Sequence, residues 1–448
     1  MPRRIVIVGA HAAGVDAASA ARKTDRSAEI TLISREKHVG YSRCGLPFVI
    51  GGHIASFDDL IVFSPSFYKM MKLTLKTETT VTNINPTDKT IEATNKAGAT
   101  ETISYDSLIL TVGAYSFIPP IKGREKQGVY SLRSIEDGQQ IDKAIRDGAK
   151  NAAVIGAGLI GLEMAIALKE RGLNTAVVEL LPQVLPVMLD TDMARLVHKM
   201  LVEKGLRIIV GKGLDEILGT EKVTSISVAG EQLPADIVVV ATGVRATTEL
   251  ATKAGIATGE THAIKTNARM ETNVESIYAA GDCAESINIV TKKPACPQLG
   301  TVAVRHGKVA GINAAGGYTL FTGVLGSAVT QLFDTQIGVT GLTEFLAKRA
   351  GMATVTGTIT SKTRADYYPG AKHIKVKIVV EKESQRIIGA QIIGGEEATQ
   401  RINALSFGIQ KQMTIRELAK TDTAYAPPLC ETWEPMVLAA EMALMKLR

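Results

Sequence analysis

Asn151-Ala152-Ala153-Val154-Ile155-Gly156-Ala157-Gly158-Leu159-Ile160-Gly161 is a short apolar run that ends in an intact GxGxxG turn. Leu162 to Arg171 continue it as a helix. Strand, glycine turn and helix in this order let backbone N–H groups and a helix N-terminus receive a pyrophosphate. Thr175 to Val178 form the next strand, and Glu179 ends it, 18 residues past Gly161. A carboxylate there accepts from both ribose hydroxyls and repels a 2′-phosphate. No arginine occurs in Leu180-Leu181-Pro182-Gln183, so NADH is expected in preference to NADPH.

The same pattern occurs at the N-terminus. Arg4 to Val8 read as a buried parallel strand, followed by Gly9-Ala10-His11-Ala12-Ala13-Gly14 and an alanine-rich helix to about Thr24. His11 replaces the middle glycine. A second strand runs from Glu29 to Ser34, and Glu36, two residues on, is the expected ribose ligand. Residues 57–105 suit a helical piece and then antiparallel strands. Ser107 to Ala114 form another strand ending in glycine, and Pro119-Pro120 mark a boundary. Asp236 to Gly243 repeat that ending. Ile277 to Ala284 carry Gly281-Asp282, where the carboxylate is either a ligand for ribityl hydroxyls or a turn aspartate. Two dinucleotide units imply two nucleotides, and a nicotinamide facing a flavin is the natural pairing. From about Gly326 the character changes. Alternating segments such as Ile374 to Val380, and helices over 396–412 and 415–420, indicate a separate α+β domain.

The 448 residues suggest about three domains. A net charge of +6, without a dense basic block, speaks against nucleic acid and suits an anionic small molecule. No apolar run approaches the roughly 20 residues that span a bilayer, and Met1-Pro2-Arg3-Arg4 leads directly into a strand, so a cytoplasmic protein without membrane insertion is expected. Four cysteines make no disulfide framework, and no cluster has metal-ligand spacing, so no metal is expected.

Tyr41-Ser42-Arg43-Cys44-Gly45-Leu46-Pro47-Phe48 holds a lone cysteine just after the first unit. No second cysteine follows nearby. A redox-active Cys44 would therefore pair with a substrate sulfur or a distant cysteine, or form a sulfenic acid; the alternative is an inert loop cysteine. Arg43, as a neighbouring cation, is expected to favour the thiolate.

Together, Ser42 to Pro47, Thr111 to Ala114, Gly156 to Glu163, Ala241 to Arg245, Tyr278 to Glu285 and Tyr425 to Pro428 resemble the flavoprotein disulfide reductases. Within them they resemble the single-cysteine branch of coenzyme A-disulfide reductases and NADH oxidases. The resemblance implies two Rossmann-like α/β domains, for FAD (1–116 and 245–325) and NAD(P)H (117–244), and a C-terminal α+β dimerisation domain (326–448). It places Cys44 over the flavin as the redox cysteine. Tyr367, Tyr368 and Tyr425 match tyrosines that approach the cysteine of the partner subunit. Flavin contacts are implied for Gly9, His11, Ala13 and Gly14, for Ser34, Arg35, Glu36 and Arg43, and for Val81, Thr111 and Gly113. Gly281, Asp282, Leu299, Gly300 and Thr301 complete that side. Gly156, Gly158, Leu159, Ile160, Gly161, Glu163, Glu179 and Gly243 line the nicotinamide side.

The chain departs from the pattern in three places. Ala12 stands where the peroxidase and oxidase branch has histidine, Arg43 where asparagine is usual, and Cys430 where serine follows Tyr-x-Pro-Pro. An exchange between Cys44 and Cys430 of two subunits is one consequence; a pocket-lining Cys430 is the other. Cys283 and Cys296 are read as structural. No sulfur-transfer domain is expected in this chain. The expected reaction passes hydride from NADH through FAD to a Cys44 mixed disulfide with a small thiol such as coenzyme A, in a homodimer. The alternatives are an NADH oxidase reducing oxygen, and the NADH-linked flavin subunit of a larger complex with an iron–sulfur partner.

Overall fold

Ile5, Val6, Ile7 and Val8 are all buried, as are Ile237 to Val240. A strand apolar on both faces needs a layer on each side, which parallel sheets provide. In the computed structural model, which describes residues 1–447, these two strands lie inside two parallel sheets of five strands. The first is ordered 277–279, 107–110, 4–8, 29–33, 73–76. The second is ordered 207–210, 174–179, 151–155, 237–240, 129–130. Leu73–Lys76 pairs parallel with Glu29–Ile33, so part of the stretch read as antiparallel extends the first sheet instead. The three strands of residues 79–104 are antiparallel.

Both sheets use one device beside their first strand. A β-carbon on Gly9 would lie 2.2 Å from the Thr111 carbonyl oxygen, and one on Gly156 would lie 2.4 Å from that of Ala241. Both glycines have positive φ, +115° and +108°. Each turn is therefore pressed against the strand across the topological switch point, where such sheets bind ligands. The helices that follow, Ala12–Thr24 and Leu159–Glu170, start against the turn backbone. A β-carbon on Gly14 would sit 1.9 Å from the Gly9 carbonyl oxygen, and one on Gly161 2.0 Å from that of Gly156.

The helix Gly300–Ala314 returns to the first unit and lies backbone to backbone on Ala12–Thr24. β-carbons on Gly307 and Gly311 would each come within 2.1 Å of a carbonyl oxygen, of Ala13 and Ala17. The chain leaves the first unit and comes back to it through two short paired strands, Ala114–Ser116 and Val244–Ala246.

The C-terminal sheet is antiparallel, ordered 328–332, 335–341, 387–394, 373–381, 354–362. Helices Ala398–Gln410 and Pro435–Leu447 share its core. The second of these was not anticipated from the sequence. Its segment is apolar nearly throughout, so it lacks the one-sided pattern that signals a surface helix. Leu332, Ile337 and Val339 of this sheet share a core with Leu46, Ile50, Leu162 and Ile166. The Lys377 ammonium, only 3% exposed, meets Asp192 at 2.8 Å, Asp190 at 3.2 Å and Glu344 at 2.5 Å. No helix among the described residues is long and apolar enough to cross a membrane.

Candidate active site

Cys44 lies in the short 3₁₀ turn Arg43–Gly45, which runs into the helix Leu46–Ile50. A β-carbon on Gly45 would press on the tip of the Leu60 side chain, 2.3 Å from its Cδ2. Cys44 remains accessible to solvent, and all four cysteines are free thiols. The protein packed around it still raises the thiol above its ordinary value. Burial contributes most, followed by the negative charges of Glu163 and Asp282; Arg133 and the local backbone amide act against them.

Arg43 does not serve this thiol. Its guanidinium donates to Glu36 Oε1 at 2.6 Å and to the Arg133 carbonyl oxygen. Glu36 also accepts from the Tyr41 hydroxyl at 2.9 Å and from His11 Nε2 at 3.1 Å. Burial alone would raise the Glu36 carboxyl, but the His11 hydrogen bond and the Arg43 charge hold it at about 2. The expected thiolate-stabilising cation is thus spent on the expected ribose ligand, because a half-buried carboxylate attracts the nearest guanidinium. His11 is lowered, first by burial and then by the Arg43 charge, so its ring is neutral at neutral pH. An ionised carboxylate only accepts, so Nε2 carries the proton and Nδ1 is an acceptor. Nδ1 is buried without a partner in the protein.

Asp282 follows Gly281, whose φ is +80°. It accepts from Arg133 at 2.6 Å, and Arg133 also donates to the Ala114 carbonyl oxygen at 3.2 Å. A β-carbon on Gly281 would come within 3.0 Å of Ala13 and 3.6 Å of Ala303, so this turn abuts the starts of two long helices. The N-termini of Ala12–Thr24 and Gly300–Ala314, at His11 and Leu299, carry no side-chain cap. Gly300 has open space at its β position, and Thr301 is exposed. Thr111 donates to the Val8 and Gly9 carbonyl oxygens at 3.0 and 2.9 Å, and Gly113 has a φ of +71°. Ser34 is buried and accepts the Glu36 amide at 3.2 Å. Val81 is buried, while Arg35 points to solvent. Uncapped N–H groups, a glycine cradle and an orphaned buried acceptor fit a phosphate-bearing dinucleotide such as FAD.

At the second turn, Glu179 accepts from the Ala157 and Leu181 amides at 2.7 and 2.8 Å, one on each oxygen. Each oxygen keeps a lone pair for a ribose hydroxyl. Gly158 and Gly243 have nothing within 4 Å of a β position, and the helix N-terminus at Gly158 is uncapped. Leu159 is half-buried and Ile160 exposed there. Glu163, on the same helix, accepts from Thr330 of the C-terminal sheet at 2.7 Å. Burial raises its carboxyl, and Thr330 opposes this.

The tyrosines lie on the C-terminal domain. The Tyr367 and Tyr425 hydroxyls are hydrogen-bonded at 2.8 Å, and Tyr367, Tyr368 and Tyr425 are 76%, 38% and 44% exposed. Cys430 Sγ donates to the Ala424 carbonyl oxygen at 3.2 Å. Cys283 and Cys296 flank the Asp282 turn, and burial pushes their thiols up to about 11 and about 12.

Comparison with known proteins agrees with this geometry. The profile of the pyridine nucleotide-disulphide oxidoreductases matches residues 3–307, and that of their dimerisation domain matches residues 327–437. The chain belongs to this family. It is an NAD(P)H-dependent oxidoreductase, and the family uses FAD. An NADH oxidase of Methanocaldococcus jannaschii is 45% identical over 446 residues, 99% of each chain. An NAD(P)H coenzyme A polysulfide/persulfide reductase of Pyrococcus horikoshii is 32% identical over 99% of this chain and 98% of its own. The solved structure of an NAD-dependent persulfide reductase from A. fulgidus superposes with a TM-score of 0.97 at 40% identity, covering 99% of this chain and 83% of that one.

The sequence reading of this oxidoreductase missed Arg133 and Thr330. Both are far from their partners, by 149 and 167 residues. Neither lies in a glycine turn or beside the cysteine, so no local signal marked them.

Proposed function

We propose that this chain uses NADH to reduce a small disulfide or persulfide of the coenzyme A class through Cys44. The observation that carries the reading is an accessible lone thiol on which Glu163, Asp282 and Arg133 act, in a chain with two dinucleotide turns. With no second thiol nearby in sequence, the sulfur that pairs with Cys44 comes from the substrate. The relatives named for coenzyme A persulfide and disulfide reduction support the acceptor.

FAD, when bound, takes hydride from NADH and returns two electrons to sulfur. Residues 1–116 and 245–325 hold it, with Gly9, Gly14, Asp282 and the 299–301 turn at its phosphates and ribityl chain. Residues 117–244 hold NADH, and Glu179 selects it over NADPH. Cys44 thiolate attacks the substrate disulfide, forms a mixed disulfide and expels one thiolate. Two electrons then cleave the mixed disulfide and release the second thiol. The sum is RSSR + NADH + H⁺ → 2 RSH + NAD⁺, and for a persulfide RSSH + NADH + H⁺ → RSH + H₂S + NAD⁺. Residues 326–448 form a homodimer in which the Tyr367–Tyr425 pair serves the partner's cysteine. Cytoplasmic operation suits this chemistry.

The relatives named NADH oxidases support oxygen as the second acceptor. Anaerobic NADH consumption with coenzyme A disulfide, wild type beside Cys44→Ser, tests the choice. Rapid turnover that the substitution abolishes is expected. Flavin reduction by NADH with no disulfide turnover in either protein would overturn the reading. Activity that copurifies with an iron–sulfur protein and survives Cys44→Ser would point to the electron-transfer subunit instead.

A further inference from the structure

Among the described residues, Thr330 is the one side chain of the C-terminal domain that is hydrogen-bonded to a residue acting on Cys44. It is buried, 8% exposed, on the strand Ala328–Leu332. Its hydroxyl donates to Glu163 Oε1 at 2.7 Å across the junction between domains. The backbone around this bond is held firmly. Leu332 shares a core with Leu46, Ile50, Leu162 and Ile166, so the Thr330 strand, the Glu163 helix and the helix that follows Cys44 pack together. A β-carbon on Gly51 would touch Ala167 at 3.4 Å, and Arg171 donates to the Ile50 carbonyl oxygen at 2.7 Å. The helix following Cys44 is therefore seated directly on the helix that carries Glu163.

We propose that Thr330 is a positioning residue: by holding Glu163, the C-terminal domain sets the charge that faces the Cys44 thiol. The other groups facing Cys44 are Asp282, which carries Arg133, and Arg133 itself. Arg43, His11, Tyr41 and Glu36 are tied to one another. Glu163 is the charge held by a hydrogen bond from the C-terminal domain. A hydroxyl donor favours an ionised carboxylate, and an ionised Glu163 disfavours the Cys44 thiolate. Loss of the Thr330 hydroxyl shifts Glu163 toward the neutral acid and frees the thiolate. The C-terminal domain thereby restrains the Cys44 thiolate through Glu163.

The inference rests on Cys44 being the reacting thiol, and its test does not need turnover. The rate of iodoacetamide alkylation of Cys44 is followed from pH 6 to 10 on the flavin-loaded protein, with the Cys44 peptide quantified by mass spectrometry. Glu163→Gln is expected to increase the rate at neutral pH about threefold, about half a unit in the apparent thiol pKa. Thr330→Val should move it in the same direction by a smaller factor, and Thr330→Ser should restore the wild-type profile. An unchanged profile in Glu163→Gln overturns the coupling. A wild-type profile in Thr330→Val beside a shifted Glu163→Gln overturns the positioning role. If Cys44→Ser retained disulfide turnover, the proposed function would fail while these profiles still decided the role of Thr330.

Discussion

Replacing Glu36 by glutamine should destabilise the first unit at neutral pH, by an amount that shrinks in acid. The Glu36 carboxyl is held at about 2 against an ordinary value of 4.5, by the His11 hydrogen bond and the Arg43 charge working against burial. Its side chain is 19% exposed, so solvent screens the pair only in part. A depression of about 2.5 units corresponds to roughly 3 kcal/mol. The folded value lies below the unfolded one. The contribution is therefore complete above about pH 4.5 and is lost as pH falls toward 2. Urea unfolding followed by circular dichroism should find Glu36→Gln less stable than wild type by about 2–3 kcal/mol at pH 7. At pH 3.5 the gap should be smaller by about 1 kcal/mol. A gap near zero at pH 7, or one that widens in acid, would refute the reasoning.

Gly14→Ala would set a β-carbon 1.9 Å from the Gly9 carbonyl oxygen, so the protein should purify with little flavin, read as the ratio of absorbance at 450 to 280 nm. Full flavin content would show that the turn relaxes without cost to binding. Lys377→Met leaves Asp190, Asp192 and Glu344 without their shared cation and should cost about 3 kcal/mol in urea unfolding. Asp190→Asn in the same chain should recover part of that loss. Glu179→Ala removes the acceptor that both backbone amides and a ribose would use, so the KM for NADH should rise about tenfold while that for NADPH changes less; equal effects on both would remove Glu179 from cofactor selection.

Much of this protein was legible in its sequence because glycine turns and apolar runs are local statements about the backbone. Gly9, Gly14, Gly156 and Gly161 carry their reasons within a dozen residues: a positive φ or a contact with no space for a side chain. Two copies of that pattern were enough to indicate two nucleotide units, and a lone Cys44 beside one of them raised thiol chemistry as a reading, with an inert loop cysteine as its alternative. Helix Pro435–Leu447 escaped because its residues are apolar on nearly every side, which periodicity does not resolve.

What surrounds Cys44 was decided only by the tertiary structure. Arg43 adjoins the cysteine in sequence, yet its guanidinium goes to Glu36; the cation acting on the thiol is Arg133, itself held by Asp282. Glu163 was named from its turn, but Thr330, which holds it, comes from another domain. Charges interact through space and choose the partner that packing presents. Sequence neighbours therefore nominated the candidate residues, and folding determined which charge each of them meets.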